Sequence, residues 1–394
     1  MSDLFLTGIG HLTTNDGPPM TDAVVAVTDG RVVYAGPSDD APDQTGNRLD
    51  CEGRAVIPGF VDSHTHLVFA GDRSAEFARR LAGESYRDIA AAGGGIMATV
   101  AATRQASEDE LYRLTAERVW RMIGSGTTTV EIKSGYGLDL DTELRLLRVA
   151  RRIGETLPVT VKTTFLGAHT VPDEYATDRE GYLDLVIEGM LPAAAGLADF
   201  CDVFVEQGVF TVEEGRRVLT AAQKLGLGAR VHAEQLTLTG GAGLAAEIGA
   251  ISADHLDHVT EDNARALAAA GVVAGLVPGA SYTLRAPQAP GRMLIDAGCM
   301  VALTTDCNPG TSYFESMGPI ISLAVVEMGL TVEEAMTAAT LGGARALRID
   351  DRGVISAGAH ADLVVLDAPH PAHIPYRPAT NLVWRTVKEG VPVG

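Results

Sequence analysis

Ala55-Val56-Ile57-Pro58-Gly59-Phe60-Val61-Asp62-Ser63-His64-Thr65-His66 is an apolar run that ends on two histidines one residue apart. In extended backbone alternate side chains share a face, so His64 and His66 point the same way about 7 Å apart, within reach of one metal ion. Three further apolar runs end in the same manner: His232 closes Leu227 to Val231, His255 follows Ile251 to Asp254, and Asp306 follows Val301 to Thr305. A single histidine at a strand end is commonly structural. The repetition, with ligand-type side chains at several strand ends, is a pattern. Three imidazole nitrogens and one carboxylate oxygen, from His64, His66, His232 and Asp306, suit zinc or a similar first-row divalent ion and leave a coordination position for water.

Outward from these runs, the middle of the chain alternates short β-like stretches with helical segments, the signature of a parallel sheet with helical crossovers. Eight strands fall at approximately 56–62, 127–132, 158–165, 202–206, 229–233, 251–255, 272–277 and 301–305. Ser107 with Glu110, Thr211 with Glu214 and Thr331 with Glu334 have the spacing of capping boxes ahead of apolar positions at helical intervals. Eight strand and helix units in about 280 residues predict a (β/α)8 TIM-type barrel. In that fold the active site lies at the carboxyl ends of the strands, where the His and Asp candidates of strands one, five, six and eight fall. Residues 1–54 and 351–394 read as short strands with turns, and the two ends are expected to pair into one small composite β domain beside a barrel of residues 55–350.

With 394 residues and 46% hydrophobic content, the chain can bury a sizeable core. A net charge of −20 argues against nucleic acid or an anionic membrane surface as partner, because the summed field repels both. The longest apolar stretch, Ala266 to Val277, is too short to span a bilayer, and the amino terminus lacks a basic segment leading into an apolar one. Cys51, Cys201, Cys299 and Cys307 show no C-x-x-C spacing, which fits a reducing compartment; Cys307 reads as a packing residue. A cytoplasmic homodimer is expected, with a small anionic molecule as substrate.

A divalent ion at the four ligands brings the pKa of a water to about 7. Asp306 is then placed to accept that water's proton and pass it to a leaving nitrogen, and His255 to polarise the attacked carbonyl; the alternative for His255 is a structural role behind the ligands. Glu206, at the end of strand four, is the one candidate ligand for a second metal, or else an acceptor for a ligand histidine. Lys162 and Lys133 are poorly placed as bridges, and one metal per chain is expected.

Longer segments carry a resemblance. Gly59-Phe60-Val61-Asp62-Ser63-His64-Thr65-His66 and Ala361-Asp362-Leu363-Val364-Val365-Leu366-Asp367 resemble the amidohydrolase superfamily, metal-dependent barrels with a composite β domain. So, in chain order, do His66 to Arg73, Glu131 to Gly137, Phe165 to His169, Val231 to Gln235, Ser252 to His255 and Thr305 to Thr311, which match a branch that hydrolyses the ring amide of a small cyclic acid. The resemblance implies His64, His66, His232 and Asp306 as ligands of zinc or iron. It also implies substrate contacts from Arg73, Tyr136, His169, Gln235, Asn308, Gly310 and Thr311. Some family members carry Glu where this chain has Gln235, and an amide can hydrogen-bond a ring but cannot act as a base at neutral pH. Proton transfer therefore shifts toward Asp306 and His255.

These contacts make chemical sense. Arg73 offers a planar fork to a carboxylate, which answers the problem of drawing an anion into a protein of this charge; a surface salt bridge is its commoner fate. Tyr136 sits in a Gly-flanked loop, as a hydrogen-bond donor or a packing tyrosine. His169 is a ring donor or a loop-fixing group, and residues 308–311 form a turn. Two other functions share part of the pattern. A different cyclic amidohydrolase or an aminohydrolase would keep the ligands and change Arg73, Tyr136 and His169, whereas a metal-binding scaffold would need no catalytic set.

Overall fold

The computed structural model describes residues 3–43, 46–84, 88 and 92–393. Its centre is an eight-stranded parallel sheet in which each strand pairs with the next in the chain: Phe60–Asp62, Thr127–Lys133, Thr160–Ala168, Phe200–Val205, Gly228–Ala233, Ser252–His255, Val273–Leu276 and Val301–Leu303. The sheet closes just beyond the first and last of these. Thr65 bridges Cys307 in parallel, the His66 N–H donates to the Cys307 carbonyl at 3.1 Å, and the Asp306 N–H donates to the His64 carbonyl at 2.9 Å. The expected (β/α)8 barrel is thus present. Its seam runs through the segments that carry three of the candidate ligands.

The crossover helices begin where the caps are placed. Thr211 and Thr331 each form a full capping box, with Glu214 and Glu334 reaching back, ahead of helices Val212–Lys224 and Val332–Thr337. Ser107 makes only half of one, its hydroxyl accepting from the Glu110 N–H at the start of Glu108–Gly124. Among the described residues no helix is long and apolar enough to cross a membrane.

Of the strand boundaries that differ from expectation, two bear on the site. The run read as one strand over 56–62 is two, because Ala55–Pro58 joins a different sheet and only Phe60–Asp62 enters the barrel. Gly59 is the joint: a Cβ there would lie 2.3 Å from Thr128 Oγ1, so only glycine lets the chain pass the second barrel strand so closely. Hydrophobicity is the same on both sides of the joint and could not reveal it. The third strand runs on to Ala168, which sets His169 directly at its carboxyl end.

The two chain ends do pair. A four-stranded sheet holds Arg31–Pro37, Ala23–Thr28, Leu4–Ile9 and Asn47–Asp50 in that order, and a five-stranded sheet holds Val391–Val393, Val383–Lys388, Leu363–Leu366, Ala55–Pro58 and His11–Leu12. Leu363–Leu366 is buried on both faces. Leu363 and Val365 pack with Leu6, Val25 and Val387, while Val364 and Leu366 face the barrel core with Ile57 and Ile123. That double burial explains an unbroken apolar strand where a half-exposed one would alternate. Asp362, just before it, is buried and accepts from Lys388 Nζ at 2.7 Å and from Arg352. Lys388 also donates to Thr160 Oγ1 at 2.7 Å, which ties the terminal sheet to the third barrel strand.

Candidate active site

At the carboxyl end of the barrel His64, His66, His232, His255 and Asp306 converge, all buried. Asp306 Oδ1 lies 3.3 Å from His66 Nε2 and 3.5 Å from His64 Nε2, and His66 Nε2 lies 3.4 Å from His232 Nε2. A tetrahedral centre with bonds of about 2.0–2.2 Å has edges of about 3.3–3.6 Å between its ligand atoms, so these separations are those of a first-row divalent site. His64 Nε2, one of these ligand atoms, is buried without a hydrogen-bond partner among the described residues. Lone pairs crowded together out of water are costly unless a cation satisfies them. The cluster is therefore able to bind a metal, and His255, grouped with His64 and His232 within 4.8 Å, borders the same space.

Burial holds His64 and His66 well below the usual imidazole range, helped by Lys133 and by neighbouring histidines, and it takes His255 down to about 3 against the opposing pull of Asp306. Neutral imidazole is the form that ligates. Burial raises Asp306 to about 6, with His255 and His232 pulling the other way.

Behind the ligands lies a layer of buried charge. His64 Nδ1 is 2.8 Å from Asp254 Oδ2, which accepts from Arg230 at 3.0 Å; Arg230 also donates to the carbonyls of Ser63 and Ala346, each at 2.7 Å. His232 Nδ1 is 3.0 Å from Asp202 Oδ2, and Lys133 Nζ spans that oxygen at 2.9 Å and Glu131 at 3.0 Å. Burial alone would raise Asp202, yet His232 and Lys133 hold it well below the carboxylate range. Such carboxylates orient a ligating imidazole and raise its basicity. Sequence reasoning passed over Asp202, Arg230, Asp254 and Glu131. Their signal was present: a charge inside an apolar strand has to be paired within the fold. Lys133, dismissed as a bridge, ends the second strand as the counter-charge of this layer.

Backbone strain gathers at the same place. Glu234, His255, Leu256 and Asp306 have φ of 57°, 78°, 63° and 49°, values that non-glycine residues adopt at a cost of roughly 1–3 kcal/mol each. Asp62 secures one of these turns by accepting from the Thr305 N–H at 3.1 Å and the Thr305 hydroxyl at 2.6 Å.

Of the residues expected to touch substrate, Tyr136 and His169 stand beside the cluster. His169 stacks on His66 with centroids 5.1 Å apart and its Nδ1 is 2.9 Å from the Gly135 carbonyl; buried Tyr136 lies 5.4 Å from His169 and 5.8 Å from His66. Gln235 is buried at the end of strand five. Glu206 fixes the turn after it, accepting from the Leu236 N–H at 2.9 Å and the Thr237 N–H at 3.3 Å, and so is occupied away from the metal-type cluster. Glu234 turns aside to the Ala242 N–H and Asn263. Asn308 is folded into its own turn, its Oδ1 taking the N–H groups of Gly310 and Thr311 at 2.8 Å each and its amide donating to the Asp306 carbonyl at 2.8 Å. Arg73, Gly310 and Thr311 line a separate cleft of about 550 Å³. There Arg73 Nε donates to Glu76 Oε2 at 2.9 Å and Nη2 to Oε1, a fork already engaged.

Residues 55–393 match the model of the amidohydrolase family. The chain is 50% identical over 401 residues to an imidazolonepropionase of Salinispora arenicola, with 100% of this chain and 99% of the relative covered. It is 49% identical over 411 residues to an imidazolonepropionase of Symbiobacterium thermophilum, with coverage of 98% and 96%. Among solved structures it resembles a 5-methylcytosine deaminase from Klebsiella pneumoniae liganded with 5-fluorocytosine, at TM-score 0.77, 16% identity and coverage of 99% and 97%. An adenosine deaminase from Xanthomonas campestris with bound zinc superposes at TM-score 0.73, 20% identity and coverage of 99% and 92%.

Proposed function

The chain belongs to the amidohydrolase family, with imidazolonepropionases as full-length relatives, and from that premise we propose how its residues divide the work of opening 4-imidazolone-5-propanoate to N-formimidoyl-L-glutamate. One observation carries the reaction: the chain is half identical, end to end, to relatives of that name. In this hydrolysis the bond between the ring carbonyl carbon and its nitrogen breaks; water's oxygen joins the carbon and a proton goes to the nitrogen.

His64, His66, His232 and Asp306 hold one divalent ion, zinc or iron, and the 3.3–3.5 Å spacing of their ligand atoms supports that assignment. When bound, the ion supplies Lewis acidity that makes water a competent nucleophile near neutral pH. Asp306 takes the proton of the attacking water and delivers it to the departing nitrogen, from a buried position within reach of the ligand histidines. Neutral His255 hydrogen-bonds the oxygen on which negative charge develops. Gln235, held by the turn that Glu206 secures, donates to the ring. Tyr136 and His169 position the ring from the opposite side, and Arg73 with the 308–311 turn attends the propanoate. The four cysteines are free and buried, which supports a reducing cytoplasm as the site of action.

The test is incubation of purified protein with 4-imidazolone-5-propanoate and identification of the product by mass. Formimidoylglutamate, formed only by metal-loaded protein, is the expected result. Turnover of a different cyclic amide with no action on the imidazolone would reassign the substrate.

A further inference from the structure

Tyr136 is fixed beside the cluster by residues 134–138, the loop after the second barrel strand, and that loop is folded onto a buried carboxylate that the mechanism so far leaves unused, Glu143 of helix Leu140–Thr156. Glu143 Oε1 accepts from the N–H groups of Gly137 at 2.8 Å and Leu138 at 2.9 Å, and its two oxygens share the Gly135 N–H at 3.1 and 3.0 Å. Backbone donors converging in this way form an anion nest. Two glycines make it possible. Gly135 has φ of 103°, and a Cβ on Gly137 would stand 2.7 Å from Glu143 N and 2.9 Å from its Oε1. Burial pushes the Glu143 pKa up, while these N–H groups and the Ser134 hydroxyl oppose the rise.

The carbonyl side of the loop is taken as well. Arg104, on helix Ile96–Gln105, donates through Nε to the Gly137 carbonyl at 2.7 Å and through Nη2 to Glu174 at 2.7 Å. The Gly135 carbonyl lies 2.9 Å from His169 Nδ1. A carbonyl only accepts, so that nitrogen carries the proton. Gly135 is thus held by Glu143 through its N–H and holds His169 through its C=O. A carboxylate taken out of water is costly, and here its donors place two rings, Tyr136 and His169, 5.4 Å apart and 5.8 and 5.1 Å from His66.

We propose that Glu143 is a positioning residue for the ring hydrolysis, fixing Tyr136 through the loop and His169 through Gly135, with Arg104 holding the same loop by its opposite edge. This deepens the assignment of Tyr136 and His169 as ring contacts of 4-imidazolone-5-propanoate and rests on it. Glu143→Gln keeps the shape and one acceptor oxygen but loses the charge and turns an NH2 toward N–H donors, whereas Arg104→Met frees the Gly137 carbonyl and leaves the nest in place.

Calorimetric binding of 3-(imidazol-4-yl)propanoate to the full metal-loaded chain measures the placement of the rings, and steady-state turnover of the imidazolone measures its consequence. Both variants should keep their metal. Each should weaken binding of the analogue and raise KM by about tenfold or more, with a smaller change in kcat. Glu143→Gln combined with Tyr136→Phe should cost less than the product of the two single effects, because both act on one ring contact, whereas a general weakening of the fold would multiply with it. Wild-type affinity and KM in Glu143→Gln overturn the proposal, and so does a double variant whose loss equals the product. If Glu143→Gln does not fold, Arg104→Met in the same cycle decides: a loss smaller than the product upholds the proposal, and wild-type KM or the full product overturns it. A wild type that shows the Glu143-dependent affinity yet leaves the imidazolone intact keeps the positioning role and defeats the reaction assignment instead.

Discussion

The N–H of Asp306 donates to the carbonyl of His64 at 2.9 Å, so one hydrogen bond both closes the barrel and locks two of its candidate ligands together. His66 repeats the arrangement one step on, through Cys307. The metal-type cluster is thus part of the seam, and its geometry is as rigid as the barrel. Separation of strands one and eight would dismantle the site before any ligand side chain moved.

Metal content should be one divalent ion per chain by elemental analysis, and removal by a chelator should abolish turnover. Asp202→Asn and Asp254→Asn, which leave the ligands in place but weaken their orientation, should lower metal affinity by roughly 10- to 100-fold. Two fully occupied sites per chain would rule out the mononuclear assignment.

Asp306→Asn should remove the base and loosen the metal together. His255→Gln should retain the metal and slow turnover by roughly two to four orders of magnitude. Metal-loaded single-turnover rates separate the two, and a His255→Gln protein that loses its ion would move His255 among the ligands.

His255 also sets a sign for stability against pH. Its folded pKa, about 3, lies below the ordinary value of 6.5, so the unfolded chain binds the proton first. Its contribution is complete above pH 6.5 and is lost progressively as pH falls toward 3. In metal-free protein, the Tm of His255→Gln relative to wild type should therefore rise between pH 7 and pH 5; a fall would contradict a buried neutral imidazole.

Gly310→Ala should push against Arg73 Nη1, which Glu76 restrains. A rise in KM of about tenfold, equal to about 1.4 kcal/mol, is expected with metal content unchanged. Unaltered KM would show that Arg73 can yield without consequence.

Gly59→Ala should destabilise the fold by about 1–3 kcal/mol, since the new methyl group meets Thr128 at the joint between sheets. Denaturant titration gives the value, and Thr128→Ala in the same chain should recover part of it. Equal midpoints for Gly59→Ala and wild type would mean that the joint relaxes freely.

Much of the architecture was legible in the residue order. The alternation of apolar runs with capped helices is local chemistry, and it carried the eight-strand barrel, the pairing of the chain ends and the strand-end positions of His64, His66, His232, His255 and Asp306. Period-two alternation put His64 and His66 on one face without knowledge of any partner strand. What spacing could not carry was anything set by contact between distant segments. Whether the apolar run through Gly59 was one strand or two depended on Thr128, sixty-nine residues later. The pairings of Asp202 with His232 and Lys133, and of Asp254 with His64 and Arg230, exist only once neighbouring strands lie in register. In the cleft, a guanidinium reads the same in sequence whether its fork is filled or free, and only the folded chain gives Arg73 its Glu76. Side-chain identity determines which chemistry is available; tertiary packing decides which of those groups have already spent it on one another.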